Sequence, residues 1–277
     1  MEERPQIVVL AKRPRPGHVK TRLTPPYSPE EAAALAAAAL RDTLDAVAAT
    51  PAAARLLALD EPGREAPGGG QVSVPDGLEV PDGFEASVPD GFEASVPDGF
   101  EVSVPDGFEV IGQRGGGLDE RLAWAFADAH ARRPLPVLLI GMDTPQVTPA
   151  LLSDAAAALA GHDAVFGPAS DGGFWLLGLR RPDARRLLGV PMSTSGTGAA
   201  QLGRLRGLSV AFVPELTDVD DAASAREVAA RAPHTRFAAA LARADQAASL
   251  ARADRGVAVG CVDRGVALAG GGAGAGR

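Results

Sequence analysis

Apolar residues along this chain fall into two kinds of run, and their alternation predicts the fold. Short unbroken stretches at Gln6–Ala11, Arg55–Asp60, Val137–Gly141 and after Gly172-Gly173 are too short for helices. They fit strands covered on both faces, as in a parallel sheet. Shorter strands are predicted at Val110–Gly112, Asp163–Phe166 and Leu208–Val213. Between them lie stretches with helical spacing. Ser28-Pro29-Glu30-Glu31 is a capping box with proline at the first helical position, and Leu40, Leu44 and Val47 then recur on one face. This helix is expected to end near Ala49. Further helices are predicted from Leu118 to about Arg132, from Thr148-Pro149 to about Ala160, over Gly198–Arg206, from Ala222, and from about Thr235 to Asp254. Strands alternating with helices imply a Rossmann-like α/β fold, a mostly parallel sheet with helices on both faces.

One segment breaks the pattern. Val80-Pro81-Asp82-Gly83-Phe84-Glu85-Ala86-Ser87 recurs from Val88 and Val96, with shorter copies at Val74 and Val104. A period of eight is too short for a solenoid unit, and Pro-Asp-Gly favours a turn in each copy. We therefore expect one domain formed by residues 1–60 and 109–255. Residues 61–108 would be a flexible, low-complexity repeat insertion, and 256–277 a disordered, glycine-rich tail.

Composition narrows the chemistry. Of 277 residues 46% are hydrophobic and 22% charged, with 27 basic against 35 acidic side chains and a net charge of −8. There is no overall basic field to suggest a nucleic-acid partner. A single cysteine, Cys261, excludes an internal disulfide framework and a cysteine-rich zinc site. The four histidines show no ligand spacing. No apolar run approaches the ~18 residues of a membrane span, and the N-terminal apolar run is too short for a signal peptide. A cytoplasmic location without membrane contact is the expectation.

The candidate site lies where strands end. The first strand runs into Lys12-Arg13-Pro14-Arg15-Pro16-Gly17-His18-Val19-Lys20-Thr21-Arg22, where five Lys and Arg side chains share a loop kept irregular by proline and glycine. The buried strand Val137–Gly141 runs into Asp143-Thr144-Pro145. Neither a P-loop nor Gly-x-Gly-x-x-Gly follows a strand, which disfavours Walker ATPases and Rossmann dehydrogenases. In a doubly wound sheet the strand ends share a rim. Lys12, Arg13, Lys20 and Arg22 can then face Asp143, Asp171, Asp218 and Asp220 across a crevice. Cations suit a di- or triphosphate. Opposed carboxylates suit Mg²⁺ or Mn²⁺, which take one or two of them plus substrate phosphate oxygens. The plainer alternatives are a solvated basic face, Asp143 and Asp171 as turn residues, and Phe174 and Trp175 as core.

Val9 to Leu23, Ile140-Gly141-Met142-Asp143-Thr144-Pro145, Gly167-Pro168 through Asp171-Gly172-Gly173-Phe174-Trp175, and Asp218-Val219-Asp220 occur in the order found in the bacterial selenodomain-associated transferase 1 family. The chain resembles that family over about residues 5–60 and 109–230. A more distant likeness is to phospholactate and molybdenum-cofactor guanylyltransferases. The resemblance implies a GT-A-like fold of the nucleotide-diphospho-sugar transferase superfamily. It implies that Lys20 and Arg22 contact nucleotide phosphates with help from Lys12, that Asp143 holds the divalent ion, and that Asp218 or Asp220 is the second ligand. Asp171 would meet the acceptor or a metal-bound water, and Gln113 would approach the base. The expected activity is metal-dependent transfer from a nucleotide-activated donor to a small-molecule acceptor, foremost glycosyl transfer from an NDP-sugar. Nucleotidyl transfer from an NTP to a phosphorylated acceptor is the alternative, since Asp143-Thr144-Pro145 stands where glycosyltransferases usually carry Asp-x-Asp. A nucleotide-binding scaffold without turnover is the alternative from another class.

Overall fold

The computed structural model describes residues 4–60 and 103–262. Seven strands, β1 (Gln6–Lys12), β2 (Ala54–Asp60), β3 (Phe108–Gly112), β4 (Val137–Gly141), β5 (Ala164–Pro168), β6 (Phe174–Leu179) and β7 (Val210–Phe212), form one sheet in the order β3-β2-β1-β4-β6-β5-β7. All neighbouring pairs are parallel except those made by β6, which runs antiparallel to β4 and β5. The connector explains that reversal: five residues, 169–173, separate β5 from β6, whereas a parallel crossover needs a dozen or more.

Six helices flank the sheet: α1 (Pro29–Ala48), α2 (Leu118–Arg132), α3 (Pro149–Gly161), α4 (Thr197–Arg204), α5 (Ala222–Arg231) and α6 (Arg236–Val262). Strand alternation divides the core. Ile7, Val9, Leu57, Leu138 and Ile140 face α1 and α3, while Val8, Leu56 and Leu139 face α2. A third cluster, including Leu35, Val228, Phe237 and Leu241, fills the space between the far side of α1 and helices α5 and α6. Because α1 is covered on two sides, it carries alanine where a surface helix would carry polar residues. The predicted capping box of α1 is present in full, with Glu31 N donating to Ser28 Oγ and Ser28 N donating to Glu31 Oε2.

Two boundaries differ from expectation. β3 opens at Phe108, inside the expected insertion, because Val104 and Phe108 pack on the core. Arg41 also donates to the Ser103 carbonyl at 2.9 Å. The last repeat copy is therefore joined to the domain; the earlier copies lie outside the described residues. Helix α6 continues to Val262, past the expected domain end at 255, and the rest of the expected tail again lies outside the described residues. The buried Asp42 on α1 accepts from Arg236 N and Phe237 N at 3.0 and 2.8 Å, fixing where α6 begins.

Candidate functional site

The carboxyl ends of β1 and β4 and the loop before α5 meet at a cavity of about 600 Å³. Chain geometry places the residues. Val219 N donates to the Asp143 carbonyl at 2.8 Å, which stitches Asp218-Val219-Asp220 to the turn after β4. Ser170 N donates to Leu216 O at 2.9 Å, fixing the approach of that loop beside β5. After β1, the loop turns back at Lys20, whose backbone adopts the left-handed conformation (φ 51°, ψ 38°) before a short 3-10 turn at Thr21–Leu23. That conformation is uncommon for a residue with a side chain. It directs the Lys20 ammonium inward, to Asp143 Oδ1 at 2.5 Å and to the Val219 carbonyl, with only 9% of the side chain exposed. Arg22 reaches Asp220 Oδ2 at 2.5 Å at the exposed mouth.

Asp218 is the most perturbed group among the described residues. Its pKa is raised from 3.8 to about 7, first by burial and then by the charges of Asp143, Asp171 and Asp220, with Lys20 only partly offsetting them. Its Oδ1 is buried without a hydrogen-bond partner, as is Oγ1 of Thr144 in the same cavity lining. Two unpartnered hard oxygens beside a second carboxylate suit a divalent cation. Among the described residues no group of three or more His, Cys, Asp or Glu forms a ready-made metal cage. A Mg²⁺ site that borrows phosphate oxygens from its substrate needs none.

The remaining expected residues divide. Lys12, Gln113 and Asp171 line the same cavity; Arg13 is not among its lining residues. Both amide hydrogens of Gln113 go to backbone carbonyls, Ala11 O at 2.8 Å and Ala58 O at 2.9 Å, so it ties β1 to β2 as well as facing the cavity. Asp220 serves as the counter-ion of Arg22 at the rim, whereas Asp218 is the enclosed carboxylate beside Asp143. Asp171 Oδ1 accepts from Gly173 N at 2.8 Å. Trp175 is core, 3% exposed with Nε1 donating to Pro214 O, while the half-buried Phe174 contributes to the wall.

Sequence reasoning missed His18, Thr144 and the wall formed by Met192, Ser193, Thr194, Ser195 and Thr197. The dense run of Ser, Thr and Gly from Ser193 to Gly198 was the available signal. This wall is locked against the loop after β5. Gly198 N donates to Gly172 O at 2.8 Å, and a Cβ at Gly172 (φ 88°) would stand 2.1 Å from Ser195 O.

The strand order, the single reversed strand and a cation loop facing carboxylates define a GT-A-like α/β fold. A protein of Desulfovibrio desulfuricans G20, provisionally named a nucleotide-diphospho-sugar transferase, shares it with 25% identity and a TM-score of 0.60, over 78% of this chain and 82% of that one. Rv0371c of Mycobacterium tuberculosis H37Rv, solved in complex with manganese, aligns at 18% identity and a TM-score of 0.42 over 81% of this chain and 97% of its own. CMP:2-keto-3-deoxy-manno-octonic acid synthetase complexed with CTP aligns at 11% identity and 0.46 over 83% and 98%. Residues 89–194 match the family described as "Uncharacterized protein conserved in bacteria (DUF2064)". No curated protein matches the chain. Among the described residues no helix is long and apolar enough to cross a membrane.

Proposed function

We propose that this chain is a metal-dependent transferase of the selenodomain-associated type that acts in the cytoplasm on a nucleotide-activated donor, moving a sugar from an NDP-sugar to a small-molecule acceptor. One observation carries the proposal: the Lys20 ammonium, the half-exposed Asp143 and the enclosed Asp218 converge at the strand ends, with Asp218 Oδ1 left unpartnered. The likeness to the Desulfovibrio protein supports a nucleotide donor.

Asp143 and Asp218 would hold Mg²⁺ or Mn²⁺, with Thr144 beside them. When bound, the ion neutralises charge on the donor phosphates as the leaving group departs. Lys20, beside Asp143, together with Arg22 and Lys12 would supply fixed positive charge to the phosphates, where preorganised cations stabilise developing negative charge. Gln113, on the cavity wall, would border the nucleoside end. Asp171 stands on the facing wall, where it takes the proton of the acceptor hydroxyl. That oxygen bonds to the anomeric carbon, the bond from this carbon to the phosphate oxygen breaks, and the nucleoside diphosphate leaves.

Nucleotidyl transfer from an NTP is the second reading, favoured by the absence of a second aspartate in Asp143-Thr144-Pro145. A thermal-shift screen of nucleoside triphosphates and NDP-sugars, with and without Mg²⁺ or Mn²⁺, separates the possibilities, because a ligand that binds only the folded state raises the melting midpoint. Stabilisation by an NDP-sugar that requires the metal supports glycosyl transfer, and preference for an NTP supports the second reading. Absence of a metal-dependent shift with any nucleotide would refute both and leave a non-catalytic scaffold.

A further inference from the structure

Lys20 is held in place by its neighbours rather than by its charge. Val19 is buried in the core cluster that α1 shares with the sheet, and Leu23 in the cluster on the far side of α1. Leu23 N also donates to Lys20 O at 2.9 Å. Pinned on both sides, the Lys20 backbone keeps its left-handed turn, and the stem runs into the cavity. Backbone strain of this kind persists where the surroundings enforce it, and it gathers at functional sites.

The ammonium ends on a carboxylate that the proposed metal ion also needs. It contacts Asp143 Oδ1 at 2.5 Å and donates to the Val219 carbonyl, and its charge reaches Asp218. Lys12 differs. It lines the same cavity, is exposed, and its ammonium makes no ion pair or hydrogen bond among the described residues. Lys12 is thus free for a phosphate before any ligand arrives, whereas Lys20 is spent on Asp143.

The charge of the cavity points the same way. Lys12, Lys20, Arg22 and Arg121 stand in its lining against Asp143, Asp171, Asp218 and Asp220, so cations and carboxylates balance when every acid is ionised. A free divalent ion entering this balanced lining meets an ammonium already in contact with one of its two carboxylates, and the lowered dielectric of a partly enclosed site strengthens the repulsion. A nucleoside diphosphate changes the balance. It brings several negative charges, gives the ammonium phosphate oxygens to donate to, and leaves the Asp143 carboxylate to the ion.

We infer that Lys20 is a resident placeholder cation: its ammonium holds the Asp143 carboxylate against free divalent ions and yields it only to a metal–nucleotide complex. This rests on the metal-dependent transferase reading and deepens it, by fixing the form in which the site takes its metal. Lys20 acts on the carboxylate before the donor binds and on the phosphates afterwards.

The probe is Mn²⁺ alone, titrated without nucleotide into the full wild-type chain and into Lys20→Met and Lys20→Gly, with free Mn²⁺ read from its paramagnetic resonance signal. Methionine keeps the stem and removes the charge, while glycine suits the left-handed backbone and so is compatible with the native turn. Both variants should bind Mn²⁺ about tenfold more tightly than the wild type, as when a competitor leaves the binding-competent arrangement in roughly a tenth of the molecules. Their affinity for a nucleoside diphosphate with Mg²⁺ should fall. A lysine that only braced the loop would lower both affinities on removal. Mn²⁺ affinity that is unchanged or weakened in a variant that melts cooperatively overturns the inference. The metal-dependent reading is judged separately, on the wild type. If a nucleoside diphosphate binds more tightly with Mg²⁺ while the variants gain no Mn²⁺ affinity, only the placeholder role is lost. If Mg²⁺ makes no difference to nucleotide binding, the reading itself fails and the role with it.

Discussion

Replacing Asp218 by asparagine should make the ligand-free protein more stable above pH 4 while removing its response to divalent cations. The carboxylate is enclosed beside Asp143 and Asp171, and its pKa stands at about 7 in the folded chain against 3.8 when unperturbed. Between these two values the folded state holds a proton that the unfolded chain has released. Stability attributable to this group is therefore greatest near pH 4 and falls as pH rises towards 7, then levels off once both states are ionised. A displacement of that size corresponds to roughly 4 kcal/mol at most, at ~1.4 kcal/mol per pH unit. Asparagine keeps the shape and removes the charge, so the difference in unfolding free energy between variant and wild type should grow from near zero at pH 4 to a few kcal/mol at pH 8. Urea unfolding of both proteins in a chelator at pH 4.5, 6 and 8 measures this, and taking the difference cancels other titrating groups such as Asp128. Adding Mg²⁺ with nucleotide should then stabilise the wild type at pH 8 and leave the variant unmoved. A variant no more stable than wild type at pH 8, with a parallel pH profile, would refute the premise that Asp218 is an uncompensated buried charge.

Three further outcomes are expected. Lys20→Met should weaken nucleotide binding by roughly 10- to 100-fold, the scale of a lost charge-assisted contact of ~1.5–3 kcal/mol. Lys20→Arg should fail to restore it in calorimetric titration, because the enclosed ammonium already contacts both Asp143 and the Val219 carbonyl. Gly172→Ala should displace Ser195, whose carbonyl would lie 2.1 Å from the new Cβ, and add about 1–2 kcal/mol of left-handed backbone strain. Steady-state assays should show turnover lost while nucleotide affinity is retained. Asp42→Ala removes the acceptor of Arg236 N and Phe237 N and should lower stability by about 1–3 kcal/mol in chemical unfolding, without changing nucleotide affinity.

Much of this fold was legible because its determinants are local. Ser28 to Glu31 specify the start of α1 within four residues, and β1 and β4 follow from apolar runs that only a sheet covered on both faces can hold. Asp143 and the cation loop could be found because they directly follow those strands. Features set by distant partners were not legible. The start of α6 near Thr235 was legible from its local cap, Thr235 Oγ1 accepting from Ala238 N, but its anchoring to Asp42, nearly two hundred residues earlier, was not. Asp218 and Asp220 look alike in sequence. They separate only when Val219 is bonded to Asp143, which encloses one carboxylate and leaves the other at the rim with Arg22. The serine wall escaped notice because it belongs to no strand end; it reaches the cavity through its contacts with Gly172 and Gly173. The reversal of β6 could have been read from the five-residue connector alone.

The central claim is that Asp143 and Asp218, with Lys20 beside them, bind a nucleotide together with a divalent cation. Calorimetric titration of the wild-type chain and of Asp143→Asn with nucleoside diphosphates, in Mg²⁺ and in a chelator, tests it most directly. The account predicts wild-type affinity at least about tenfold higher with Mg²⁺, equivalent to ~1.4 kcal/mol, and loss of that gain in Asp143→Asn. Equal affinity with and without the metal, unchanged by the substitution, would contradict it.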